Sequence, residues 1–183
     1  MRILGIAGSL REGSYNRSLL RAARELLPES VELVELDLRS LPLYDGDVEA
    51  AGDPESVVAL KEAIRDADAL LIATPEYNRG TSGVLKNAID WASRPPFGSP
   101  LTRKPAAIVG ASTGMSGTRR AQQQVRDALS FPGAKVLEDS VAVPDAYEKF
   151  EDGELADEAT RAGLQDLVEA LVAAVGAPEL IAA

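Results

Sequence analysis

The chain has 183 residues, 45 % hydrophobic and 26 % charged, enough for one domain that buries a sizeable core without help from crosslinks. It contains no cysteine and no histidine, which excludes disulfides, the usual zinc, haem and copper ligands, and every mechanism built on a histidine base. A net charge of −10 argues against a nucleic-acid partner, and no apolar run approaches the ~18 residues of a membrane span.

The opening residues run directly into a strand-like segment with no leader pattern, so the expected location is the cytoplasm. The charge is unevenly placed. Residues 1–135 hold 17 basic and 17 acidic side chains, whereas residues 136–183 hold 2 and 12. Within the balanced front part, Arg11, Arg17, Arg21 and Arg24 form one basic group and Arg119, Arg120 and Arg126 another.

In chain order, residues 3–7 are the first apolar run of strand length, followed by Leu19, Ala22, Ala23 and Leu26 at helical spacing. Residues 31–36 form the second run, then Val57, Leu60, Ile64 and Ala67 mark a helix. Residues 69–73 are the third, followed by a helix through Leu85 and Trp91, and residues 106–109 are the fourth. Residues 136–143 are the fifth, and the last helix carries Leu164, Leu167, Val168, Leu171, Val172 and Val175, with Gly163 inside it unexplained. Residues 95–100 read as a loop, and residues 144–154 as an acidic connection anchored by Tyr147 and Phe150.

Five strands in strict alternation with five helices predict an α/β chain with a parallel sheet covered on both faces. The sheet order is then either flavodoxin-like, 2-1-3-4-5, or that of a dinucleotide-binding fold. In both, ligands lie beyond the carboxyl ends of the strands where the order reverses, so the loops after strands one, three and four carry the site.

The first loop, residues 8–14 with the start of its helix, brings together Ser9, Leu10, Arg11, Ser14, Tyr15, Asn16 and Ser18. Free backbone N–H groups, a helix N-terminus, hydroxyls and a guanidinium at one spot suit a phosphate. Gly8 and Gly13 have P-loop spacing, but Ser14 and Tyr15 replace the Lys and Ser/Thr that an NTPase needs. The glycines also miss the G-x-G-x-x-G pattern, although Asp37 stands roughly where a ribose-binding acid would.

In the third-strand loop, Pro75, Glu76, Tyr77 and Asn78 offer amides and a flat aromatic face, which suit a planar ligand. Lys86 and Asp90, four apart, read as a surface ion pair. The fourth-strand loop carries Ser112, Thr113, Gly114, Met115 and Gly117, whose backbone amides can face negative charge on a ring. Arg119 and Arg120 beyond it read either as contacts for the 2′-phosphate of NADPH or as a helix surface.

These motifs together, Gly8-Ser9-Leu10-Arg11 with Asn16, Pro75-Glu76-Tyr77-Asn78, Leu85-Lys86-Asn87-Ala88-Ile89-Asp90-Trp91 and Phe150-Glu151-Asp152-Gly153-Glu154, resemble the NADPH-dependent FMN reductase family. The resemblance spans nearly the whole chain and implies a single flavodoxin-like domain over residues 1–183, a three-layer α/β/α sandwich with strand order 2-1-3-4-5. It implies FMN as cofactor, NADPH or NADH as co-substrate, and hydride transfer through the flavin to a quinone, azo compound, metal oxyanion or free flavin.

By the same likeness Ser9, Arg11, Ser14 and Asn16 would hold the FMN phosphate and ribityl chain. Glu76, Tyr77 and Asn78 would line the flavin, and Ser112 to Gly117 would contact its ring. No acid or base is expected from the protein, because the chemistry belongs to the cofactor. A non-enzymatic electron carrier of flavodoxin type is the alternative. The likeness further implies a homodimer or homotetramer, with Tyr77, Trp91 and the third helix at a subunit contact. Where many members of the family have Pro at the start of that helix, this chain has Ser82, a residue that also starts helices.

Overall fold

The structure is a computed structural model, and it describes residues 1–176. Five parallel strands, β1 (Arg2–Ala7), β2 (Glu32–Leu36), β3 (Ala69–Ala73), β4 (Pro105–Ala111) and β5 (Lys135–Val143), form one sheet in the order β2-β1-β3-β4-β5. The flavodoxin-like order is therefore the one adopted.

Successive residues of the central strands point to opposite faces, and both faces are buried. Ile3, Leu71 and Val109 belong to one core, where α1 (Tyr15–Leu26) and α6 (Glu158–Gly176) contribute Leu19, Leu20, Leu164, Leu167, Val168 and Leu171. Leu4, Ile6, Leu70, Ile72 and Ile108 belong to the other. There they meet Leu60 and Ile64 of α3 (Glu55–Asp66), Leu85 and Trp91 of α4 (Gly83–Ala92), and Val125 and Leu129 of α5 (Arg119–Ser130). Gly163 of α6 faces Val141 of β5 with room for an ordinary contact, and nothing in the packing requires a glycine there.

Two parts depart from strict alternation. A short helix, α2 (Gly46–Ala51), precedes α3; it buries no residue and is capped by Asp45, whose carboxylate accepts from the Asp47 N–H at 2.9 Å. The 144–154 connection contains a 3₁₀ turn at Ala146–Glu148 and ends in a hairpin of β6 (Phe150–Glu151) and β7 (Glu154–Leu155). Phe150 is buried against the ring of Tyr15, centroids 5.0 Å apart, but Tyr147 is exposed and anchors nothing. Lys149 and Asp157, 2.7 Å apart, tie this hairpin to the start of α6.

Trp91 is fully buried. Its indole N–H donates to the Pro42 carbonyl at 2.9 Å and its ring meets Tyr44 edge-on. Trp91 is thus a core residue and not a subunit contact. Among the described residues, no helix is long and apolar enough to cross a membrane.

Candidate active site at the carboxyl ends of the strands

Because β1 lies between β2 and β3, the chain leaves β1 in one direction and β3 in the other, and a crevice opens between their following loops. Strand β4 and its loop, residues 112–118, close the far side. All three loops singled out from the sequence meet here.

The first loop is an unfilled set of donors. Among the described residues, none of the nine backbone N–H groups of residues 9–17 donates to an acceptor in the protein; the run is bracketed by Gly8, bonded to the Ala73 carbonyl, and Ser18, bonded to that of Ser14. The first four amides of any helix lack an intrahelical partner, and a longer run converging on one helix N-terminus suits an anion. Ser14, the residue before α1, makes no capping bond with its hydroxyl, and Arg11 is exposed with no hydrogen-bond or ion-pair partner among the described residues. Ser9 is held only by a long 3.4 Å bond from the Tyr77 hydroxyl. These groups are free to meet a ligand.

Other members of the set serve the fold. The side-chain amide of Asn16, 95 residues away in sequence from β4, donates to the Ala111 carbonyl at 3.0 Å and accepts from the Ala111 N–H at 2.9 Å. It stitches the start of α1 to the end of β4. Ser18 Oγ donates to the Ser14 carbonyl and accepts from Arg21, and the ring of Tyr15 lies on Phe150. Leu10 contributes its carbonyl to Arg39, the same residue that grips Asp37 from both its backbone N–H and its guanidinium. The Arg39 backbone N–H, and after it the guanidinium, hold the Asp37 carboxyl below its ordinary range. Asp37 therefore orders the first loop through Arg39 and offers no free carboxylate to a ribose. Arg24 pairs with Glu35, and Arg21 also reaches the Gly153 carbonyl, so the first basic group reduces to Arg11 and Arg17.

Loops one and three are locked together. Gly8 packs so tightly against the third loop that a Cβ would come 2.8 Å from Pro75 Cδ and 3.0 Å from Ser82 Oγ. Ser82 donates to the Gly8 carbonyl at 2.6 Å and caps α4 by accepting from the Leu85 N–H, so the helix start expected of it is present. Beyond Pro75 the chain makes a small hairpin closed by paired bonds between Tyr77 and Gly80, with Asn78 and Arg79 left-handed at its tip. Tyr77 is half-exposed and its ring stands at the crevice.

Loops three and four are joined by Glu76. Its carboxylate accepts from the Ser116 hydroxyl at 3.1 Å and from the backbone N–H groups of Arg120 and Ala121 at 3.2 and 3.4 Å. It neutralises the N-terminus of α5 and faces away from the role of a free acid. In the fourth loop the amides of Thr113, Met115 and Ser116 have no acceptor among the described residues, while Ser112 bonds the Val143 carbonyl. Gly117, at φ +56°, lies against the backbone of Val143 and Pro144, where a Cβ would come within 2.8 Å; it serves the approach of this loop to β5. Gly114 and the exposed Met115 remain at the rim. Arg126 is absorbed by the carbonyls of Leu137 and Glu138, which leaves Arg119 and Arg120 of the second basic group.

A cavity of about 700 Å³ lies elsewhere, between α4 and α5, lined by Tyr44, Ile89, Arg94, Ala128 and Phe131. The Lys86–Asp90 pair at its edge, 2.6 Å apart and well exposed, is the surface ion pair expected from the spacing. That cavity lacks the convergent unpaired donors of the strand ends, so size alone does not mark the site.

Comparison with known proteins agrees with this geometry. The sequence profile described as NADPH-dependent FMN reductase matches residues 1–148. An NAD(P)H-dependent FMN reductase of Pseudomonas aeruginosa is 47 % identical over 173 residues, 93 % of either chain. A quinone reductase of Pseudomonas putida is 41 % identical over 90 % of this chain and 89 % of its own. Among solved structures, the flavoenzyme NAD(P)H:(acceptor) oxidoreductase FerB of Paracoccus denitrificans superposes with a TM-score of 0.85 at 36 % identity, covering 95 % of this chain and 96 % of that one.

Proposed function

The chain belongs to the NADPH-dependent FMN reductase family, and from that premise we propose how its three loops divide the work of an FMN-dependent NAD(P)H oxidoreductase. FMN held by these loops would supply the redox chemistry between NAD(P)H, a hydride donor, and a two-electron acceptor such as a quinone.

The protein's part is to bind and orient. The unpaired amides of residues 9–17, with the Ser9 and Ser14 hydroxyls and the Arg11 guanidinium, form the phosphate seat, and the positive end of α1 adds to it. Pro75, Tyr77 and the Asn78 backbone make the flat wall of the slot. The amides of Thr113, Met115 and Ser116 are the donors that would meet the polar edge of the ring and favour negative charge there. Glu76 and Asn16 hold these parts at fixed separation, one between loops three and four and the other between α1 and β4. The one proton needed beyond the hydride would come from solvent, because the slot opens outward past the half-exposed Tyr77.

The observation that carries this reading is the run of nine unpaired amides at the end of β1. Purified protein is expected to be yellow, to lose its flavin absorbance on addition of NADPH or NADH without oxygen, and to regain it with a quinone. Flavin that binds without steady NAD(P)H oxidation would make the protein a carrier and refute the enzymatic assignment.

We also infer self-association as a homodimer or homotetramer. Its support is the α4–α5 face, where Phe131 is 95 % exposed beside the cavity and Phe97 is 97 % exposed next to Pro96 on the cavity wall. Sedimentation at micromolar concentration distinguishes this from a monomer.

A further inference from the structure

Among the described residues, the backbone of residues 9–13 makes a single hydrogen bond: the Leu10 carbonyl accepts from the Arg39 guanidinium. Fixing a run of unpaired amides in one shape costs conformational entropy, and nothing within this run closes on itself. Packing does little to hold it. Leu10 is only partly buried against the core of Leu4 and Ile6, and a cavity of about 80 Å³ lined by Ser9, Leu10, Arg17 and Asp37 lies between the loop and the end of β2. The tie to Arg39 is therefore what sets the middle of the loop.

The Arg39 guanidinium is itself held. Its Nη1 donates to Asp37 Oδ2 at 2.7 Å and its backbone N–H donates to Asp37 Oδ1 at 2.9 Å, so one carboxylate fixes both the turn and the side chain. Downstream, the same segment is bolted to α4. The Asn87 amide and the Trp91 indole both donate to the Pro42 carbonyl, at 2.8 and 2.9 Å, and the Asn87 side-chain oxygen accepts from the Tyr44 N–H at 2.8 Å. Two residues of the Leu85–Trp91 motif thus serve the segment that carries Arg39. Because Asp37 answers the positive charge of Arg39, what the guanidinium gives the first loop is direction more than field.

A trans peptide is planar, so its C=O and N–H point to opposite sides. With the Leu10 carbonyl drawn to Arg39, the Arg11 N–H is turned the other way, and it is among the nine unpaired donors. Rotation of that one peptide would exchange a donor for a carbonyl oxygen and set partial negative charge against an anion.

We propose that Arg39 is the positioning residue of the phosphate seat: oriented by Asp37, it fixes the Leu10–Arg11 peptide so that the loop selects flavins that carry a phosphate over those that do not. This rests on the reading of residues 9–17 as the seat of the FMN phosphate.

The test is the ratio of Kd for riboflavin to Kd for FMN, from fluorescence titrations of flavin-free wild type, Arg39→Gln, Arg39→Lys and Asp37→Asn, with a thermal melt of each. Riboflavin keeps the ring and the ribityl chain and lacks only the phosphate. A general loosening weakens both flavins and leaves the ratio, whereas a turned peptide weakens FMN alone. The wild type is expected to favour FMN. Arg39→Gln and Asp37→Asn should each cut the ratio by about tenfold, the low end for a hydrogen bond to a charged group because the link is half exposed, with riboflavin affinity within about twofold of wild type. Asp37→Asn is isosteric and repeats the test without touching the guanidinium. Arg39→Lys keeps the charge but not the fork that spans carboxylate and carbonyl, so it should lose the ratio too. A ratio kept by Arg39→Lys, or FMN affinity raised by Asp37→Asn, would mean that Arg39 meets the phosphate as a bare charge and overturns the positioning role. Ratios within about twofold of wild type in Arg39→Gln and Asp37→Asn overturn it as well, while the seat stands. A wild type that binds both flavins alike, or neither, overturns the seat itself.

Discussion

Replacing Asn16 by Ala separates a residue that holds the fold from one that holds the cofactor. Asn16 is buried, and its side chain satisfies both the N–H and the carbonyl of Ala111 at 2.9 and 3.0 Å. Truncation leaves two buried backbone groups without partners, each costing about 1–3 kcal/mol, so the domain should lose about 2–6 kcal/mol. With a urea slope of about 2 kcal/mol per molar, the unfolding midpoint of the apoprotein should fall by about 1–3 M. The assay is urea unfolding of flavin-free protein followed by Trp91 fluorescence, beside an FMN titration of the same sample. Because the damage lies at the junction of α1 and β4, FMN affinity should fall only as far as the loops loosen. An apoprotein midpoint equal to wild type, together with a large loss of FMN affinity, would show that Asn16 is a direct ligand and would refute the stitch.

The other expectations concern the seat, the loop junction and the acidic end of the chain. Arg11→Ala should weaken FMN binding by about 1.5–3 kcal/mol in a fluorescence titration while leaving apoprotein stability unchanged, since Arg11 makes no hydrogen bond or ion pair among the described residues; equal affinity removes Arg11 from the site. Gly8→Ala forces a methyl against Pro75 and Ser82 and should lower stability by about 1–3 kcal/mol in thermal melts, with weaker FMN binding; full stability would mean that the two loops are not locked. Lys149, with Thr160, lowers the Asp157 carboxyl to about 2. A depressed carboxylate stabilises above its ordinary pKa near 3.8, and that contribution is lost as pH falls through about 2. The melting-temperature gap between wild type and Asp157→Asn should therefore be constant above about pH 5 and shrink below pH 4; a gap that widens on acidification contradicts the assignment.

Much of this molecule can be read from residue pattern, and the exceptions have physical causes. The central strands β1, β3 and β4 are apolar on both faces because helices cover both, which makes runs such as Leu70-Leu71-Ile72 unmistakable. The short helix α2 left no such trace, since it buries nothing and is acidic at its start. The hairpin at Phe150–Glu151 and Glu154–Leu155 is too short for alternation to register.

At the site, the loops that converge were legible because the sheet order dictates which ends meet. The division of labour inside them was not. Whether a polar side chain faces ligand or fold depends on a partner far off in sequence, as with Asn16 and Ala111, or Glu76 and the N-terminus of α5. Arg39 had no local signature either; its link of Asp37 to the Leu10 carbonyl crosses from one loop to another.

The central claim is that an anion and its attached ring system occupy the strand ends and not the 700 Å³ cavity between α4 and α5. Backbone amide NMR of the ¹⁵N-labelled apoprotein, titrated with FMN, tests it directly. The amides of residues 9–17 and those of Thr113, Met115 and Ser116 should shift strongly and become protected from exchange. Shifts confined to Ile89, Arg94, Ala128 and Phe131, with residues 9–17 unmoved, would contradict the account.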